Sequence, residues 1–261
     1  MAELTAAGQT PDVLFWVGCA GSFDDRAKRI TKAIARILNA SETSFAVLGQ
    51  EESCTGDPAK RAGNEFLYQM QAAQNIATLN GYGIKRIITG CPHCFNVLKN
   101  EYPELGGNYE VLHHTQFIRE LIETGKLRMA DGAPFKGKRI TFHDPCYLGR
   151  GNGEYLAPRE VIQKLDAELL EMRRCKQNAM CCGAGGAQMF KEAETGTAEV
   201  NHERTNEALE NKPEVIATGC PFCNTMITDG VKNANQETEV EVKDIAELIA
   251  EAADLLDTPA T

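Results

Sequence analysis

Two segments of this chain share one pattern. Ile84-Lys85-Arg86-Ile87-Ile88-Thr89-Gly90 runs into Cys91-Pro92-His93-Cys94, and Val215-Ile216-Ala217-Thr218-Gly219 runs into Cys220-Pro221-Phe222-Cys223. Each reads as a β-branched strand entering a loop. The match extends upstream: Cys19 and Cys54 recur 127 positions later as Cys146 and Cys181, while Cys91 and Cys94 recur 129 positions later as Cys220 and Cys223. The chain is an internal duplication, so a fold that suits one half must suit the other.

Each half alternates strand and helix patterns. A strand-like stretch precedes the first cysteine of each half, at 13–18 and 139–143, and another lies at 109–114. Residues 24–39 place Ala27, Ile30, Ile34 and Leu38 at helical spacing. Residues 63–79 do the same with Phe66, Leu67, Met70, Ala73 and Ala77. Helices are expected at 115–123 and 242–256, closing the two halves. The alternation predicts an α/β fold: two cysteine-rich α/β modules, each with a largely parallel sheet flanked by helices. Glycines, a proline and charges at 125–138 read as a linker. The modules are placed at 10–129 and 130–257.

Composition narrows the function. A formal charge of −10, with 27 basic residues outnumbered and scattered, argues against a nucleic-acid partner. The apolar runs fall short of the roughly 20 residues that cross a bilayer, and residues 1–12 lack a secretory pattern. A cytoplasmic location is therefore expected. Ten cysteines in a reducing compartment point to metal or redox chemistry rather than disulfides. There is no Ser/His/Asp arrangement, phosphate-binding loop or dinucleotide fingerprint.

In the second half the candidate ligands are Cys146, Cys181, Cys182, Cys220 and Cys223. Five thiols exceed what tetrahedral zinc uses, and a polynuclear iron–sulfur centre accommodates them better. Gly183-Ala184-Gly185-Gly186 offers backbone amides to the sulfurs. Pro221 suits the first turn of a helix whose free amides would favour the thiolates of Cys220 and Cys223, and Pro92 repeats the device. The first half offers Cys19, Cys54, Cys91 and Cys94, with Thr55 where Cys182 would stand. Four thiols suit a structural zinc or an iron–sulfur cluster, and the spacing does not choose. Cys175 lies outside the repeat and reads as a partly buried free thiol. His143 is in range to donate to a cluster sulfur, against a default structural role that also covers His113 and His114.

The order Cys-x34-Cys-Cys-x37-Cys-x-x-Cys resembles the cysteine-rich "CCG" domain of the B-type subunit of heterodisulfide reductase and of related iron–sulfur oxidoreductases, over about residues 13–256. Three segments look closest to the cysteine-rich part of proteins linking electron-transfer flavoprotein to menaquinone. They are Phe15-Trp16-Val17-Gly18-Cys19-Ala20-Gly21, His143-Asp144-Pro145-Cys146-Tyr147-Leu148-Gly149-Arg150 and Cys181-Cys182-Gly183-Ala184-Gly185-Gly186. Iron–sulfur subunits of glycolate and lactate oxidases are more distant. The resemblance implies a 4Fe–4S centre, cubane or non-cubane, on Cys146, Cys181, Cys182, Cys220 and Cys223. It also implies work within a larger complex, with a flavoprotein donor and a ferredoxin-like or haem-bearing partner at the inner membrane face. Electron transfer is the leading expectation; cluster-based thiol or disulfide reduction and a double-zinc scaffold are the alternatives. Thr55 breaks the pair of complete sets that heterodisulfide reductase uses, so disulfide cleavage does not carry over.

Overall fold

A computed structural model describes residues 1–130, 134–192 and 195–256. Among these, eight strands form two four-stranded sheets. The first contains β1 (Val13–Trp16), β2 (Phe45–Ala46), β3 (Arg86–Thr89) and β4 (Glu110–His113), in the order β2-β1-β3-β4. The second contains β5 (Arg139–Phe142), β6 (Glu168–Leu170), β7 (Val215–Thr218) and β8 (Glu241–Asp244), in the order β6-β5-β7-β8. All pairs are parallel, and the register repeats: Leu14 faces Ile87 in one sheet and Thr141 faces Ile216 in the other. Helices cover both faces of such sheets, which is why β1 and β7 are buried along their whole length.

The helix Ala27–Ala40 buries Ala27, Ile30, Ile34 and Leu38 as the spacing predicts. The next helix, Glu65–Gly81, is turned the other way. Its buried face is Tyr68, Ala72, Asn75, Ile76 and Leu79, while the expected face is exposed, Phe66 at 76% and Met70 at 54%. Both faces carry apolar residues, and polar fit decides between them. Asn75 accepts from the Ser53 hydroxyl at 2.9 Å and donates to the Cys54 carbonyl and the Tyr102 hydroxyl, each at 3.0 Å. A second correction falls at 242–256, where residues 242–244 belong to β8 and the helix is Ile245–Ala252. Asp244 stops the strand and caps the helix, its Oδ1 accepting from the Ala246 amide at 2.9 Å.

The two halves share one apolar core. Ile30, Ile34, Leu38, Phe117 and Ile118 pack in the same cluster as Phe142, Val161, Ile162, Leu248 and Ile249. The helix Ala27–Ala40 lies on Ile245–Ala252, and His114–Glu123 lies on Leu156–Gln163. Each half's first crossover helix thus meets the other half's last helix, the exchange expected of a twofold-related pair. Arg26 reinforces this with a bidentate bond to Glu247, both contacts at 2.7 Å. Of the expected linker, residues 131–133 beside the proposed boundary lie outside the described residues, as does residue 257. The rest is no free tether: Leu127 and Phe135 are in the core, and the Ala130 amide donates to the Ala252 carbonyl at 2.8 Å. No helix among the described residues is long and apolar enough to cross a membrane.

Candidate metal centres

The strand order places the site. In each sheet the chain leaves the first strand towards one edge and returns to build the other, so a crevice opens beyond the carboxyl ends of β1 and β3, and of β5 and β7. Cys19 and Cys146 follow β1 and β5. Cys91 and Cys220 follow β3 and β7 as the N-caps of helices Pro92–Asn96 and Pro221–Asn233, with proline at the first helical position as the sequence predicts.

All five sequence candidates of the second half come together. Hydrogen-bonding contacts join Cys146 to Cys181, Cys181 to Cys182, and Cys220 to Cys223. The Cys182 and Cys223 sulfurs are 3.3 Å apart, far beyond the ~2.05 Å of a disulfide. Backbone donors meet the sulfurs as expected, the Gly183 amide reaching Cys181 at 3.3 Å and the Ala184 amide reaching Cys182. Gly183 has φ +94, a conformation that a side chain would strain. Hydrogen bonds from Cys146 and Cys182 push the Cys181 thiol far down, so it ionises first. Cys182, which donates to it, is pushed up to about 12. Burial raises Cys220, and contacts with Cys182 and Cys220 raise Cys223, outweighing the helix N-terminus.

The four candidates of the first half also converge. Cys19 contacts Cys54, and Cys91 contacts Cys94. A donor from Cys19 lowers Cys54 to about 7. Gly18, at φ +77, lets the backbone approach Cys94: a Cβ there would sit 3.3 Å from its sulfur. Glu52, missed in the sequence, accepts from the Val17 and Gly18 amides at 3.1 and 2.6 Å, and burial raises its carboxyl to about 7.

The two sets meet. Cys91 takes hydrogen bonds from Cys220 and Cys94 that push its thiol well below the usual range. His93, the variable residue of the first C-P-x-C, crosses into the second half and packs against Tyr147 and Phe222, with ring centroids 4.6 and 5.4 Å away. Its Nδ1 lies 2.8 Å from Asp57. His113 has the structural role expected, its Nε2 3.0 Å from the Gly219 carbonyl, whereas His114 Nε2 lies 3.0 Å from Asp244 Oδ1 without hydrogen-bond geometry. Cys175 stays apart, half-buried near Glu171 and Asp144.

His143 Nε2 is buried without a partner among the described residues, and one of the two ring nitrogens lies within 4.8 Å of the Cys182 and Cys223 sulfurs. Burial first, then the Arg204 charge, lowers the ring to about 3, so it is neutral. Five convergent thiols, amides aimed at sulfur and an orphaned N–H beside them fit an anionic iron–sulfur cluster. The four thiols of the first half could hold a tetrahedral zinc or a cluster.

Residues 13–99 and 140–228 each match the CCG cysteine-rich domain family. The chain is 45% identical over 251 residues to the EtfAB:quinone oxidoreductase of Syntrophomonas wolfei, covering 94% of this chain and 35% of that protein. It is 44% identical over 251 residues to the "Probable iron-sulfur-binding oxidoreductase FadF" of Bacillus subtilis, with 96% and 35% covered. It is 34% identical over 251 residues to one of the subunits of the dihydromethanophenazine:CoB–CoM heterodisulfide reductase of Methanosarcina barkeri, with 94% and 59% covered. The chain thus spans about a third to three fifths of the length of these relatives. With both halves matched, the chain belongs to the cysteine-rich CCG domain family and carries that domain twice.

Proposed function

We propose that this chain is the electron-transfer module of an iron–sulfur oxidoreductase, with a 4Fe–4S centre held by Cys146, Cys181, Cys182, Cys220 and Cys223. The observation that carries the reading is the convergence of five thiols with amide donors and no alternative disulfide. When bound, such a centre supplies reversible one-electron storage. The chain's own residues do the rest. Gly183 and Ala184 amides offset the negative charge on sulfur, and the strand ends fix the thiols. The thiol contact between Cys91 and Cys220 supports close passage between the two sets.

Cys19, Cys54, Cys91 and Cys94 hold a second centre, a structural zinc or a second cluster. The modules run over 10–129 and 130–257. The name of the Syntrophomonas relative supports a flavoprotein donor and a quinone-linked acceptor, reached through a ferredoxin-like or haem-bearing membrane partner. The module itself works at the cytoplasmic face.

Iron, zinc and sulfide analysis of anaerobically purified protein, with EPR of the reduced form, tests this. Iron and sulfide with a reducible signal lost in Cys182→Ser are the expected result. Zinc alone would overturn the reading.

A further inference from the structure

Behind the second-half sulfurs lies a guanidinium with no access to water. Arg204 is 0% exposed, a rare state for a charged side chain. Its Nε donates to His143 Nδ1 at 3.0 Å. Its Nη1 donates to the Arg174 carbonyl at 2.9 Å and to Glu207 at 3.2 Å, while Nη2 has no partner among the described residues.

This arrangement fixes the histidine tautomer. Arginine has no acceptor and keeps its protons. His143 Nδ1 must therefore be the accepting nitrogen, and the neutral ring carries its one proton on Nε2. That atom is the orphan, on a ring one of whose nitrogens lies within 4.8 Å of the Cys182 and Cys223 sulfurs. His143, Cys182 and Cys223 are spaced as a metal-binding trio, yet an Nε2 bearing hydrogen has no lone pair to give a metal.

The first half gives an independent reading of the same position. Trp16 stands 127 residues before His143, the displacement that relates Cys19 to Cys146. Its Nε1 is also buried without a partner among the described residues, and it shares an apolar cluster with Cys91 and Cys94. An indole donates and never ligates. What the two halves share at the end of their first strand is an N–H, and the second half alone backs it with His143 and a buried cation.

We infer that Arg204 holds His143 as a fixed Nε2–H donor to the Cys182 and Cys223 sulfurs, so that the pair raises the reduction potential of the second-half centre. This rests on the proposed iron–sulfur function. Reduction adds negative charge to the sulfurs, and a donor backed by a buried positive charge stabilises that charge more than the oxidised state. His143 faces the ligand sulfurs; Arg204 is a positioning residue acting through it. No proton moves, because Nε2 keeps its hydrogen in both oxidation states.

The test is an EPR-monitored redox titration of the full chain loaded anaerobically with iron and sulfide. His143→Leu is expected to disfavour the reduced state about tenfold, a midpoint ~59 mV lower for one electron. Arg204→Met should shift it the same way, and Arg204→Lys less. His143→Gln, which keeps an N–H, should recover part of the shift. Pulsed EPR of the parent labelled with 15N-histidine should show one weakly coupled nitrogen and an exchangeable proton. A strongly coupled nitrogen, or iron lost from His143→Leu while its thermal transition is kept, would make the ring a ligand and overturn the inference. So would an unchanged midpoint at full iron content. If the parent forms no iron–sulfur signal at all, the functional reading fails instead, and 15N NMR of the same chain still reports whether Nδ1 is the acceptor.

Discussion

Thr55 Oγ1 lies 3.9 Å from Cys94 Sγ, in the place where Cys182 Sγ meets Cys223 Sγ at 3.3 Å. The surrounding loops agree in detail. The Gly56 amide donates to Cys54 at 3.4 Å with φ +92, and the Gly183 amide donates to Cys181 at 3.3 Å with φ +94. The duplicated backbone has been kept and one sulfur lost. Thr55→Cys should therefore complete a five-thiol set on a preformed frame, raising iron and sulfide per chain and adding an EPR signal. Metal content equal to the parent's would show that one thiol does not define the difference between the halves.

The contact between Cys91 and Cys220 makes a second prediction. Cys91→Ser is expected to weaken metal binding by the first set and also to change the EPR spectrum of the second-half centre, because it replaces the sulfur in contact with the ligand Cys220 by a smaller, harder oxygen. A spectrum that stays unchanged after this substitution would separate the two sets.

Much of this was legible in the residues. The duplication, the parallel α/β class, the proline-led helices and the equivalence of Thr55 with Cys182 all follow from local pattern and spacing. What was not legible depends on which surfaces meet. Phe66 and Met70 satisfy a helical stripe as well as Tyr68 and Ile76 do, and only the polar demands met by Asn75 select the buried face. Val242 continues an apolar helical pattern on paper but pairs with Ile216 once β7 lies beside it. Cys91 and Cys220 meet across 129 positions of chain, a contact no spacing rule encodes. Arg204 carries no motif that marks it, and its burial depends on His143 and Glu207 beside it.

The common core predicts that the halves unfold together. Ile249→Ala, in the second half, should cost about 2–5 kcal/mol. Trp16 is the one tryptophan and sits in the first half. Its fluorescence should report the loss in full, with a urea midpoint that falls as far as the one from circular dichroism. A fluorescence midpoint left in place would show that the halves unfold separately.

Arg159 supplies a pH prediction. Its guanidinium bridges Asp144, with two contacts at 2.8 Å, and Glu171, at 2.6 and 2.9 Å. The Arg159 hydrogen bonds hold the Glu171 carboxyl below its usual value. A carboxyl whose pKa is depressed in the folded state stabilises the fold above its unfolded value of about 4.3, and that contribution fades as pH falls through the depressed value. Glu171 is partly exposed, so screening limits the gain to on the order of 1 kcal/mol or less. Glu171→Gln should therefore lower the urea midpoint near pH 7 and lose most of that difference at a pH below the depressed value, where the parent carboxyl is also protonated. A difference of the same size at both pH values would assign the effect of the substitution to packing rather than to charge.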